Sequence, residues 1–141
     1  MKRLRTICIT IVLILICGSA LAAHPALLLF GGENHNKFLG CLNCNKYDLS
    51  SVWNKYGEYG SKYNSDSIWN KYGTYGSKYN SLSPWNKYSS DGPVIVDPDG
   101  NFYGYFTLNK YNNQTKIEWL VWILENHEYV MENFDEIRDK F

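Results

Sequence analysis

The rhythm of apolar and polar positions changes several times along this chain, and each rhythm predicts a different element. Residues 7–16 form an apolar run behind Lys2, Arg3 and Arg5, and the small residues of Ala20-Leu21-Ala22 follow. The run is too short to cross a bilayer comfortably and has the layout of an export signal, with a cut after Ala22 or Ala23. This predicts a leader over residues 1–22 and a single mature domain over 23–141. Residues 26–30 are a short apolar run stopped by Gly31-Gly32, which suits a buried strand, and the polar 33–36 read as a turn. Phe38-Leu39-Gly40 resumes the apolar pattern and leads into Cys41-Leu42-Asn43-Cys44.

Late in the chain, β-branched Val94-Ile95-Val96, the turn formers Asp97-Pro98-Asp99-Gly100-Asn101 and the aromatic run 102–108 predict a β-hairpin over 93–108. Thr115 followed by Glu118 has the form of a capping box and predicts a helix over 115–140. Residues 117–124 are apolar nearly all round, so that half is expected to be buried. Val130, Phe134, Ile137 and Phe141 form a narrower stripe among acidic residues.

Between these blocks lies a tandem repeat of sixteen residues. The stretch 52–67 (Val-Trp-Asn-Lys-Tyr-Gly-Glu-Tyr-Gly-Ser-Lys-Tyr-Asn-Ser-Asp-Ser) recurs almost unchanged at 68–83, and a third copy begins Pro84-Trp85-Asn86-Lys87-Tyr88. A fixed period implies one small unit stacked on itself. Ser51, Ser67 and Ser83 stand where a helix N-cap would, Pro84 suits a first helical position, and Gly57 and Gly73 suit a left-handed helix end. Residues 52–56, 68–72 and 84–88 are therefore expected as one-turn helices or tight turns. A degenerate copy precedes them, in which Cys41 falls on Gly57 and Gly73, and Cys44 on Gly60 and Gly76. Eight tyrosines and three tryptophans between residues 45 and 88 argue for an ordered segment, because disordered ones are poor in aromatics. Tandem repeats over 44–88, short strands, a hairpin and a C-terminal helix make the expected fold class a small single-domain α+β protein.

Charge and cysteine usage narrow the function. Without Lys2, Arg3 and Arg5, the 14 basic residues fall to 11 against 14 acidic ones, a net charge near −3. That argues against a dedicated nucleic-acid binder. The charge is uneven, with six lysines over residues 45–88 and seven acidic residues over 117–141. Cys8 and Cys17 leave with the leader, and Cys41 and Cys44 remain in an oxidising compartment. Their CxxC spacing fits a stapled turn, a redox pair or half of a metal site, for which His24 and His35 are candidate further donors. No Gly-x-Ser-x-Gly elbow accompanies the serines, which sit on repeat cap positions. His127 falls on the acidic helix and is expected to be exposed. Asp97, Asp99 and Asn101 alternate like the start of a calcium loop, without its later glycine and glutamate. Trp53, Trp69 and Trp85 with Tyr56, Tyr72 and Tyr88 recur at one spacing, as core packing or as an exposed ladder able to stack on sugar rings. No cofactor is implied.

The run Phe38-Leu39-Gly40-Cys41-Leu42-Asn43-Cys44, the repeat Ser67-Ile68-Trp69-Asn70-Lys71-Tyr72-Gly73-Thr74-Tyr75-Gly76-Ser77, and Pro93-Val94-Ile95-Val96-Asp97 through Gly100-Asn101-Phe102-Tyr103-Gly104 resemble a family of small exported bacterial proteins. The likeness covers roughly residues 27–111. The family has no established activity, so the resemblance implies export and no catalytic residue. The expectation is a periplasmic or secreted non-catalytic protein, a structural or binding module of the cell envelope. Its aromatic and lysine surface would meet an envelope glycan or another envelope protein. The alternative is a small thiol-redox or metal-handling protein centred on Cys41 and Cys44.

Overall fold

A computed structural model describes residues 24–141, and the leader expected over 1–22 and its cut site lie outside the described residues. Four strands, β1 (Leu28–Gly31), β2 (Lys37–Cys41), β3 (Val94–Val96) and β4 (Phe102–Tyr105), form one antiparallel sheet in the order β2-β1-β3-β4. The predicted first strand and the hairpin are both present. Leu29, Leu39 and Ile95 turn one sheet face inward and are wholly buried. With three helical segments after the sheet, the fold is a small α+β domain. Among the described residues no helix is long and apolar enough to cross a membrane.

The repeats leave the sheet after β2 and return to it at β3. They build a solenoid of tight turns and contain no helix. Backbone bonds step from Asn45 to Asp48, Ser51, Asn54 and Gly57, then make one longer step to Ser61, where the pattern starts again. Four steps of three residues and one of four make the sixteen-residue coil. Local chemistry explains why no helix forms. The side chain of the Ser, Asn or Asp that begins most turns accepts the N–H two residues ahead: Ser51 takes Trp53 N–H at 3.0 Å, and Asn54 takes Tyr56 N–H at 3.1 Å. Such Asx and Ser turns compete with helix propagation, and here a fresh one arrives every third residue. The serines have the expected capping chemistry, but the next capping residue takes over before a second helical turn can start.

The glycines of the repeat differ from expectation. Gly57 and Gly73 do not take a left-handed conformation, so they end no helix. Gly60 and Gly76 carry the steric demand instead, because a Cβ there would collide with the backbone of Asn54 and Asn70. Each of those asparagines spans its own coil, with the Asn54 and Asn70 Nδ2 donating to the carbonyls of Asp48 at 3.1 Å and Asn64 at 3.0 Å.

The coils are tied to one another by their tryptophans. Trp69 Nε1–H donates to the Val52 carbonyl at 2.6 Å and Trp85 Nε1–H to the Ile68 carbonyl at 2.6 Å. Trp53 Nε1–H repeats the contact with the Leu42 carbonyl at 2.8 Å, so the segment after β2 serves as the first rung. Ring centroids of Trp53, Trp69 and Trp85 follow at 5.3 and 5.5 Å. Each indole thus buries a large apolar area while its one donor is satisfied.

The helix expected over 115–140 is broken. It appears as α1 (Glu118–Glu125), α2 (His127–Glu132) and α3 (Phe134–Arg138). Thr115 makes no capping box, because its Oγ1 accepts from Ile117 N–H at 3.3 Å and the helix begins after Ile117. Asn126 and Asn133 leave the helical region, and their Nδ2 atoms donate to the carbonyls of Trp122 at 2.8 Å and Tyr129 at 3.0 Å. The same carbonyls keep the backbone N–H of Asn126 at 3.0 Å and of Asn133 at 2.9 Å, so each asparagine closes the turn behind it with two bonds. The helix half expected to be buried is so only in part: Leu120, Ile123 and Leu124 are inside, and Trp122 is 45% exposed. The later stripe docks on the solenoid, where Phe141 stacks on Trp53 at 4.2 Å and Phe134 meets Trp53 and Trp69 at 5.9 and 5.4 Å.

Candidate functional site

The stacking of coils divides the six rings expected on one ladder. Trp53, Trp69 and Trp85 face inward and form the core, at 0, 4 and 3% exposure. Tyr56, Tyr72 and Tyr88 face outward at 85, 98 and 83%. A second row, Tyr47, Tyr63 and Tyr79, is exposed at 76, 83 and 83%. The difference follows from each ring's turn. The Ser51 turn carries Val52 and Trp53 into the core, whereas the Asn54 and Ser61 turns carry Lys-Tyr pairs into solvent. The remaining tyrosine of each coil points to the sheet, where Tyr59 packs edge-on to Phe38 at 4.9 Å and Tyr75 approaches Gly31.

Every exposed tyrosine in the two rows follows a lysine. Five of these ammonium groups, those of Lys46, Lys55, Lys62, Lys78 and Lys87, lie 5.2–5.4 Å from the centroid of the adjacent ring. The lysines divide in a second way. Lys46 and Lys55 pair with Asp139 at 2.6 Å and Asp135 at 2.7 Å of the C-terminal segment. Hydrogen bonds to those lysines hold the Asp135 and Asp139 carboxyls below their usual range, and the lysines are raised for the same reason. Lys62, Lys71, Lys78 and Lys87 have no acidic partner within 4 Å among the described residues.

Beside the second coil, next to the Phe134–Trp69 contact, an open groove of about 1280 Å³ is lined by residues of both the solenoid and the helical segment. The solenoid contributes Tyr56, Tyr63, Tyr72, Trp69, Lys62 and Lys71, the helical segment contributes Met131, Glu132, Phe134 and Glu136, and the Lys55–Asp135 ion pair joins the two elements within the lining. The second tyrosine row was missed from the sequence, where the recurring Lys-Tyr dipeptide was the available signal. The acidic stretch over 117–141 was visible there, but its place beside the second coil depends on where the helix docks.

Cys41 and Cys44 are joined in a disulfide. Cys41 is buried at the end of β2, and the register expected for Cys44 with Gly60 and Gly76 is kept, since the first turn starts at Asn45 as later coils start at Ser61 and Ser77. Asn43, inside the CxxC, accepts Leu27 N–H at 2.8 Å and donates to the Pro25 carbonyl at 2.9 Å, so the loop also ties down the start of the described chain. His24 is exposed, and His35 sits 3.0 Å from the Gly92 carbonyl and edge-on to Tyr105. No three His, Cys, Asp or Glu side chains gather into a metal-holding group among the described residues.

His127 is not the exposed residue the pattern suggested. It lies flat on Trp85, with centroids 4.9 Å apart and planes 8° from parallel, and caps that end of the ring stack. Asp97 is a turn hub. Its carboxylate accepts Asp99 N–H at 3.0 Å, Asn101 N–H at 2.9 Å, Asn101 Nδ2 at 2.9 Å and Tyr103 Oη–H at 2.7 Å. The side-chain bonds from Asn101 and Tyr103, joined by the backbone donors, draw its carboxyl down to about 2. With its oxygens engaged this way, Asp97 serves the hairpin.

No family model matches the chain, and no curated protein or solved structure is significantly similar to it.

Proposed function

We propose that this is an exported, non-catalytic binding module of the cell envelope, and that the Tyr-Lys face of the solenoid is its contact surface. The observation that carries the reading is the pair of tyrosine rows, six rings at least 76% exposed and repeated coil by coil beside lysines. A small domain gains stability by burying aromatics, and this one buries Trp53, Trp69 and Trp85 while leaving these rings in water. Tyrosine offers a large, rigid, amphipathic contact area at low entropic cost, and Ser, Gly and Asn around it supply adaptable hydrogen bonds, a composition shared with antibody-type binding surfaces. The turn backbone supports a side-chain surface over strand addition. Residues 61–90 run in consecutive turns with no strand ladder, so they offer no extended edge for a partner strand.

The test is retention of the mature chain on envelope glycan and envelope-protein fractions, compared with a variant in which Tyr56, Tyr63, Tyr72 and Tyr79 are serine. These rings are exposed, so the variant keeps its core. Retention of the parent together with loss in the variant supports the reading, and equal behaviour of the two removes it. The second reading, thiol-redox exchange at Cys41 and Cys44, draws on the closed disulfide alone, and metal handling there would first require its reduction to thiolates. It predicts that Cys41→Ser with Cys44→Ser abolishes reductase activity, and metal uptake by the reduced chain.

A further inference from the structure

The groove beside the second coil carries two features at once. One is the aromatic face, through Tyr56, Tyr63 and Tyr72. The other is charge of both signs on facing sides. At the first coil the two sides touch directly, as Lys46–Asp139 and Lys55–Asp135. Past the closed Lys55–Asp135 pair, which also lines it, the groove carries Lys62 and Lys71 on the solenoid and Glu132 and Glu136 on the helical segment. None of these four has a partner of opposite charge within 4 Å among the described residues. A polyanion would be repelled by the glutamates and a polycation by the lysines. A neutral glycan would use the rings and leave both charged sides unpaired. The complementary ligand carries an anion and a cation within one short reach, on a body with flat apolar faces.

We infer that this groove binds a glycan bearing a short zwitterionic peptide. Sugar faces stack on Tyr63 and Tyr72, the peptide carboxylate meets Lys62 and Lys71, and its free amine meets Glu132 and Glu136. Met131 and Phe134 lie against the apolar part of the peptide. The inference rests on the reading of the Tyr-Lys face as a binding surface and deepens it by naming the ligand class. Its ion pairs lie at the rim of an open groove, so binding weakens as salt rises. The volume of about 1280 Å³ exceeds the usual span of a small-molecule pocket, which fits an oligomeric ligand.

The experiment is calorimetric titration of the mature chain with a disaccharide carrying a peptide that has one free amine and one terminal carboxylate. Four further probes are the amine-acetylated form, the carboxyl-amidated form, the bare disaccharide and the free peptide. Intact probe should bind, and blocking either charge should weaken it about tenfold, the worth of two exposed ion pairs. Lys62→Gln with Lys71→Gln should weaken the intact probe by a similar factor and the amidated probe no further. Glu132→Gln with Glu136→Gln should show the same relation to the acetylated probe. That cross-pattern assigns each charge to its wall, which a general loss of binding would not do. All four residues are exposed, and unchanged thermal melting checks that the variants fold. Equal affinity for all probes, or binding of the free peptide as tightly as the glycopeptide, overturns the inference and leaves the Tyr-Lys reading standing. No binding of any probe, with retention on another envelope fraction, also overturns the inference alone. Failure on every envelope fraction overturns both.

Discussion

Arg138 Nε–H donates to the Trp53 carbonyl at 2.9 Å, across 85 residues of sequence. The same guanidinium reaches the Lys46 carbonyl at 3.3 Å, and the side chain is 7% exposed. One buried cation therefore fastens the last helical segment to the first coil. Removing it leaves carbonyl groups without a donor in a dry interface. Arg138→Ala is expected to cost about 2–3 kcal/mol in urea denaturation and to speed hydrogen exchange in α3 ahead of the sheet. A cost under about 0.5 kcal/mol would show that the ring stack and the Lys46–Asp139 and Lys55–Asp135 pairs hold the segment without it.

The indole nitrogens make a separable contribution. Trp69→Phe keeps an aromatic ring in the stack and loses the donor to the Val52 carbonyl. The expected loss is about 1–3 kcal/mol for an unsatisfied buried acceptor. Trp69→Ala removes ring and donor together and is expected to cost about 3–5 kcal/mol. Equal stability of the Phe variant and the parent would mean that the coils are joined by ring packing without the hydrogen bond.

Glycine positions within one coil should respond unequally. Gly60→Ala drives a methyl group into the Asn54 backbone, which the neighbouring turn cannot move without breaking its bonds. Overpacking of this kind costs about 1–3 kcal/mol. At Gly57 the nearest atoms are the Asn54 side chain at 3.2 Å, and φ is not positive, so Gly57→Ala should be the milder change. Thermal melts of the two single variants decide it, and a larger loss at Gly57 would contradict the coil geometry.

Acid should loosen the hairpin in a defined window. Donors from Asn101 and Tyr103 lower the folded-state carboxyl of Asp97 to about 2, against an ordinary value of 3.8. A carboxyl depressed on folding adds stability that is complete above its unfolded value and fades as pH falls through the folded one. Stability attributable to Asp97 is thus intact above about pH 4 and lost between about pH 4 and pH 2. Denaturation midpoints measured through that range should show a smaller acid decline in Asp97→Asn. Asp48, Asp135 and Asp139 are also depressed, so part of the slope remains. An unchanged slope would remove Asp97 from the account.

Much of the architecture was legible from local pattern. Strands around Leu29 and Ile95, the Asp97–Asn101 turn, the repeat register and the segment joined by Cys41 and Cys44 all depend on residues close in sequence. The helix ends were misread because Thr115 and Asn126 have two options each, a cap or a competing side-chain bond, and the choice depends on the neighbouring packing. His127 was misread because its partner, Trp85, is brought to it only by the fold.

Sequence alone determined the sixteen-residue period and the turn chemistry, since a Ser or Asn arrives every third residue and its oxygen reaches an N–H two residues ahead. It also set which ring types recur and where glycine is placed. Tertiary structure decided which rings are core and which are surface, because burial of Trp69 depends on the coil before it and on Phe134, far away in the chain. It decided the groove as well. Lysines on one element and glutamates on another acquire a shared meaning only when the two elements are packed a fixed distance apart.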